Sequence, residues 1–172
     1  RGWRFDPRSL ERALRPDTAL IVTTDLHNPS GLRMHPEDLD LLVAAAEASD
    51  AYLLIDEVYA DFDPHERPTA ALHSPRVLVT HSLTKVHGLP DLRAGWILGD
   101  AATLAEIDAW NDLIHPALPP APMAEAARYV PRGRALLADI RASAARCAAI
   151  VDAWVRATDG VRWLTPDGGI TC

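Results

Sequence analysis

Lys85 is the one lysine in a chain that carries sixteen arginines, and it lies in the densest run of reactive side chains, Thr80-His81-Ser82-Leu83-Thr84-Lys85-Val86-His87-Gly88-Leu89-Pro90-Asp91-Leu92-Arg93. A primary amine can lose its proton in a desolvated pocket and condense with an aldehyde, whereas a guanidinium stays charged and planar. A lone lysine among arginines therefore points to Schiff-base chemistry; the competing reading is an arginine-biased genome that left one lysine on the surface. A free lysine amine has a pKa of about 10.4, so roughly one in a few thousand is neutral at pH 7. A standing bond to a carbonyl removes the need to deprotonate it afresh in each cycle.

Other groups stand at matching places. Asn28 follows the run Ala19 to Thr23, Asp56 ends the run Tyr52 to Ile55, and Ser82 follows the run Val77 to Thr80, three residues before the lysine; Arg93 comes eight residues after it. The runs are short, apolar and without alternation, which suits parallel strands covered on both faces. Between the first two, Pro36-Glu37-Asp38 is followed by Leu39, Leu42, Val43 and Ala46 at helical spacing, with proline suited to N1 and acids in the first turn. That is a β-α-β unit. The connection from Ile55 to Val77 suffices for a crossover, and Pro64, Pro68 and Pro75 leave room for only a short helix. Ligands of open α/β sheets sit beyond the carboxyl ends of the strands, so three separate segments deliver functional groups to one edge. For an aromatic aldehyde phosphate each group has a use. Asp56 would keep a pyridine nitrogen protonated, each pKa unit being worth about 1.4 kcal/mol, and Arg93 and Ser82 would bind the phosphate.

Downstream, Gly95 to Gly99 reads as a strand and Ala101 to Asp112 as a helix, after which Pro116, Pro119, Pro120 and Pro122 break the chain at a hinge or domain boundary. From Gly133 to about Thr158 the residues Leu136, Ile140, Cys147, Ile150, Val151 and Trp154 predict a helix of about 37 Å, ended by Gly160. Gly168-Gly169-Ile170-Thr171-Cys172 reads as the start of a strand. The expectation is an α/β fold, a three-layer α/β/α sandwich around a mostly parallel sheet, followed by the start of a smaller α+β domain. Residues 1–120 would form the second half of the large domain and residues 121–172 the connecting helix and the first part of the small one.

Composition removes other classes. At 172 residues with 48% hydrophobic residues the chain can bury a core, and a net charge of -7 without any basic block argues against nucleic acid or anionic lipid as partner. No apolar stretch is long enough to span a bilayer and no secretory h-region opens the chain, so a cytoplasmic location is expected. Cys147 and Cys172 give neither a disulfide framework nor a zinc spacing and read as free thiols. His81 and His87 flank the lysine without any metal-binding pattern and read as polar packing or rim residues.

Taken together and in order, His27-Asn28-Pro29-Ser30-Gly31, Asp56-Glu57-Val58-Tyr59 and Ser82-Leu83-Thr84-Lys85 with Gly88-Leu89-Pro90 and Arg93 resemble the fold-type I pyridoxal-phosphate enzymes of the class I/II aminotransferase group. The resemblance implies that Lys85 carries the cofactor as a Schiff base, that Asn28 and Tyr59 hydrogen-bond its phenolic oxygen, that Asp56 pairs with the ring nitrogen, and that Ser82 and Arg93 hold the phosphate. It implies transamination between an amino acid and a 2-oxo acid, in a homodimer. Decarboxylation, C–S lysis or a synthase reaction on the same scaffold, and a non-enzymatic sensor, are the alternatives. Family enzymes are longer at both ends, so this chain is expected to be a piece of a longer protein with little or no turnover of its own. Asp91 and the pair Val86-His87 depart from the usual glycine and aromatic pair. Gly168-Gly169 matches a glycine pair at the entry of the small domain and also reads as a plain turn.

Overall fold

The computed structural model describes residues 3–65, 67–115, 117 and 119–171. Pro116 of the proline cluster and Cys172 lie outside the described residues. The elements run α1 (Pro7–Ala13), β1 (Leu20–Thr24), α2 (Pro36–Ala48), β2 (Tyr52–Asp56), β3 (Val77–Ser82), β4 (Gly95–Leu98), α3 (Ala101–Ile114) and α4 (Pro120–Ala157), with short 3₁₀ turns at Ala60–Phe62, Ala70–Leu72 and Pro90–Leu92. The sheet has the order β1-β2-β3-β4, the first three strands parallel and β4 antiparallel to β3. Helix α2 provides the first crossover, whereas the second is made by two 3₁₀ turns, as the prolines there require.

Register decides which side chains share a face. Leu53 and Ile55 of β2 line up with Ile21 and Thr23 of β1, and Ile55 with Val79 of β3. This face is closed by Leu42 and Ala46 of α2 and by Ala70, giving the main core. Leu53, Ile55, Val77 and Val79 are at most 1% exposed, and each contributes about 1.5 to 3 kcal/mol through burial. The opposite face carries Val22, Leu54, Asp56, Thr80 and Ser82. Helix α3 covers its lower end, where the Tyr52 hydroxyl meets Thr103 Oγ1 at 3.2 Å and Gly99 lies against Leu78 and Leu104. Toward the edge Val22 is 62% exposed and Ile97 38%. The expectation of cover on both faces therefore holds, among the described residues, for one face and only the lower part of the other.

Helix α4 corrects the sequence reading. It starts at Pro120 rather than near Gly133 and runs 38 residues, about 57 Å at 1.5 Å per residue. Pro120 and Pro122 fall in the first turn, where an N–H is unpaired in any case, so they start the helix instead of breaking it. Pro131 lies inside the helix, which continues because Ala126, Gly133 and Leu137 bury their side against the rest of the protein. Ala126 packs with Leu83 and Ala94, and Leu137 with Leu26, Phe62 and Val86. The expected strand at 168–172 is absent from its described residues, where the chain forms bends.

Candidate functional site

The carboxyl edge of the sheet gathers the predicted residues by backbone pairing. Asp56 is the last residue of β2, and its carbonyl accepts from the Asp25 N–H at 3.0 Å, which ties the loop containing Asn28 to the end of that strand. Asp56 shares its face with Thr80 and Ser82 of β3 and with Thr24 of β1. One oxygen of its carboxylate, Oδ1, accepts from Thr80 Oγ1 and from the Val58 N–H, each at 3.1 Å. Two donors on one oxygen fix the group and leave Oδ2 without a hydrogen bond among the described residues. The Thr24 hydroxyl beside it is buried and has no hydrogen-bond partner.

Lys85 stands in a loop that closes on itself. Leu83 N–H donates to Ala94 O at 3.1 Å, Leu89 N–H to Leu83 O at 3.0 Å and Gly88 N–H to Lys85 O at 3.3 Å. The first of these bonds joins the neighbour of Ser82 to the neighbour of Arg93, so the two predicted phosphate groups come together although eleven positions apart in sequence. Arg93 takes a left-handed backbone at φ 48° and is exposed; its Nη1 reaches only Pro90 O, at 3.4 Å. Tyr59 packs its ring on Phe62 with centroids 6.3 Å apart. The Asn28 amide, the Tyr59 hydroxyl and the Lys85 amine make no hydrogen bond or ion pair within the described residues. Lys85 is exposed and lines a cavity of about 490 Å³ with Phe62, Ile140, Cys147 and Trp163, which Asp56, Tyr59 and Ser82 do not line. The predicted set is thus brought to one edge, but on an open surface rather than in one enclosed pocket.

The Asn28 loop also holds the C-terminal segment. Gly31, at φ 63°, accepts from the N–H groups of Asp167 at 2.9 Å and Gly168 at 3.2 Å, and Arg33 N–H donates to Asp167 Oδ2 at 2.8 Å. A Cβ on Gly31 would lie 2.6 Å from Gly168 O and from Pro166 Cβ. Position 31 therefore has no room for a side chain once the backbone at 168 and Pro166 are in place, which the sequence pattern does not reveal.

Sequence reasoning missed a charged layer behind this edge. The Arg33 side chain is 10% exposed and bridges Asp25 and Asp63 at 3.4 and 3.2 Å, and Arg67 reaches Asp63 at 3.6 Å. Burial raises the Asp25 carboxyl above its ordinary value despite Arg33 and the Met34 amide, which act the other way. On the core face Glu57 pairs with His81 at 3.4 Å, and the His81 ring stacks on Trp96 with centroids 5.7 Å apart. Burial pushes the Glu57 carboxyl up, but its bonds to His81, the Ala70 amide and the Thr69 hydroxyl prevail and hold it below its usual range. Arg67 and Asp63 are four positions apart, but the Arg33 bridge to Asp63 and the Glu57–His81 pair form only when separate segments come together.

A mostly parallel α/β sheet with an amine, a carboxylate, a hydroxyl and a guanidinium along its carboxyl edge defines an α/β domain with polar side chains where such sheets bind ligands. The comparisons with known proteins name the family. The model for aminotransferase class I and II matches residues 1–172, and the chain belongs to that family, whose members depend on pyridoxal phosphate. It is 31% identical to the capreomycidine synthase of Streptomyces vinaceus over 174 residues, covering 99% of this chain and 44% of that protein. It is 32% identical to the threonine-phosphate decarboxylase of Salmonella typhimurium over 109 residues, 62% of this chain and 30% of that protein. Its fold is similar to that of the aspartate aminotransferase from Thermus thermophilus, with a TM-score of 0.82 at 22% identity over 96% of this chain and 44% of that one. The chain spans less than half the length of these relatives.

Proposed function

We propose that Lys85 holds pyridoxal phosphate and that the protein moves an amino group between an amino acid and a 2-oxo acid. The observation that carries this reading is the contrast between two sets of polar groups. The charged groups of the layer behind the edge are ion-paired with one another, although Arg33 Nε and Nη1 lack a hydrogen bond, whereas the Lys85 amine, Asp56 Oδ2, the Asn28 amide and the Tyr59 hydroxyl have neither ion pair nor hydrogen bond along one edge. Unpaired polar groups on converging strand ends are what a ligand-binding edge requires. They fit the cofactor group by group: Asp56 Oδ2 accepts a ring N–H, Asn28 and Tyr59 donate to the phenolic oxygen, and Ser82 and Arg93 bind the phosphate, the latter as a fork. Pyridoxal phosphate, when bound, supplies the electron sink that side chains lack. With the cofactor bound, Asp56 would keep the ring nitrogen protonated, and the Lys85 amine would move a proton between the substrate α-carbon and C4′ of the cofactor.

Two relatives, the capreomycidine synthase and the threonine-phosphate decarboxylase, support a second reading in which the same residues serve another reaction. The discriminating experiment mixes the protein, extended to the length of its relatives and loaded with cofactor, with L-amino acids and measures the products. Release of 2-oxo acid supports amino transfer, and release of carbon dioxide or of a product that keeps the amino group supports the second reading. We further propose the division at residues 120 and 121, a homodimer, and a cytoplasmic location; no described helix is long and apolar enough to cross a membrane. Alone, 172 residues that cover 44% of the first relative are expected to turn over weakly or not at all.

A further inference from the structure

We propose that Asp61, His87 and Tyr129 form a polar latch that fixes the loop bearing Lys85 against helix α4, with His87 as a positioning residue for that amine. The importance of Lys85 rests on the function proposed above; the latch itself does not.

His87 lies two residues after Lys85 and its side chain is 7% exposed. Both ring nitrogens are engaged: Nε2 lies 3.1 Å from Asp61 Oδ2, and Nδ1 lies 3.1 Å from the Tyr129 hydroxyl. The Tyr129 ring meets the imidazole edge-on, with centroids 5.4 Å apart at 81°. A carboxylate only accepts, so in the neutral imidazole the proton belongs on Nε2 and the tyrosine donates to Nδ1. The donors then run in one direction, Tyr129 to His87 to Asp61, and end on a charge, where each bond strengthens the next. The hydrogen bond from His87 holds the Asp61 carboxyl below its ordinary range, and burial, aided by Asp61, raises the Tyr129 phenol. Both directions suit a protonated donor at one end and an anionic acceptor at the other.

A second feature, on a separate residue, has the same purpose. Gly133 is buried in the middle of α4, although glycine is the poorest helix former after proline. A Cβ there would lie 2.6 Å from Tyr129 Cε1 and 3.2 Å from Cζ. The missing side chain is the space in which the tyrosine ring lies while it reaches His87.

Three elements meet at this imidazole. Asp61 belongs to the 3₁₀ turn that begins just after Tyr59, Tyr129 belongs to α4, and His87 belongs to the Lys85 loop. Val86 packs against Phe62 and Leu137 of the same turn and helix. Apolar contacts of that kind tolerate sliding, whereas two directed hydrogen bonds select one register. Arg141 Nε adds a third tie from α4, donating to Asp61 O at 2.7 Å. The latch thereby sets the position of Lys85 relative to Tyr59, the residue assigned above to the phenolic oxygen of the cofactor.

The test uses hydrogen exchange of the amides in residues 83–94, measured on the 172-residue chain without cofactor, in the wild type, Tyr129→Phe, Gly133→Ala and the double variant. Tyr129→Phe removes only the hydroxyl, and Gly133→Ala leaves every latch residue in place while displacing the ring. Each single change should speed exchange of the loop about tenfold, the equivalent of one buried hydrogen bond. The double variant should be no faster than either single one, because both break the same bond. His87→Gln, which can still donate to Asp61, should recover part of the protection that His87→Ala loses. Loop exchange unchanged in both single variants, or fully additive in the double one, overturns the latch. Failure of pyridoxal phosphate to attach at Lys85 while the loop responds as expected contradicts the functional reading and leaves the latch standing.

Discussion

Replacing Gly31 by alanine tests how the Asn28 loop is joined to the C-terminal segment. At φ 63° an L-residue costs about 1 kcal/mol more than glycine. The new Cβ would also lie 2.6 Å from Gly168 O and Pro166 Cβ, so the segment must retreat. Retreat weakens the bonds from the Asp167 and Gly168 amides to Gly31 O and from the Arg33 amide to Asp167, each worth about 1 kcal/mol net. The structure can either absorb the clash, at about 1 to 3 kcal/mol for overpacking, or release the segment and lose the three bonds. With the backbone cost included, absorbing the clash costs about 2 to 4 kcal/mol and release about 3 to 4 kcal/mol. Local opening of this size raises amide exchange at Asp167 and Gly168 by about 30-fold to 1,000-fold, while exchange in β2 and β3 stays as in the wild type. Peptide-resolved hydrogen exchange measures both. Unchanged protection at Asp167 and Gly168 in Gly31→Ala would refute the argument.

The other predictions concern the core and the charged layer. Leu53→Ala, at a position with no exposure, should destabilise the fold by about 2 to 5 kcal/mol, read from the urea midpoint. Arg33→Met leaves Asp25 and Asp63 buried without their shared cation and should cost about 3 to 5 kcal/mol at pH 7. The Asp25 carboxyl is raised in the fold, so its contribution is fully present below its unfolded pKa and is lost as pH rises through the higher folded one. Removing Arg33 takes away a lowering influence, so the cost of Arg33→Met should shrink when the urea titration is repeated near pH 4. The Glu57 and Asp61 carboxyls are lowered in the fold and behave oppositely, their contributions being lost as pH falls below the usual carboxylate range. Replacing both by their amides should flatten the acid side of the stability profile.

Much of the proposed cofactor edge was legible because its signals are local. The strands Tyr52–Asp56 and Val77–Ser82, the crossover helix with Pro36 in its first turn, and the order of Asn28, Asp56, Ser82, Lys85 and Arg93 can be read without knowing what packs where. The helix α1 was also open to reading and was missed: Asp6 precedes Pro7, and its carboxylate caps the N–H groups of Arg8 and Ser9. The start of α4 is hard to read from sequence because its prolines look like breaks, although in a first turn they have no bond to lose. Gly133 was taken as a boundary, whereas it makes room for Tyr129. The Arg33 bridge and the Asp61, His87 and Tyr129 contacts were out of reach, because their partners lie 26 to 42 positions apart for His87 and meet only when α4 and the 3₁₀ turns have packed.

The most direct test of the proposed function is borohydride reduction after incubation with pyridoxal phosphate, followed by mass spectrometry of the peptide that contains residue 85, in the wild type and in Lys85→Arg. It should be run on the 172 residues and on a protein extended to the length of its relatives. The account predicts an adduct on Lys85 and none on that peptide in the arginine variant, which keeps the charge but cannot condense. An extended protein that takes up no adduct at Lys85 would contradict the assignment of this edge as the cofactor site.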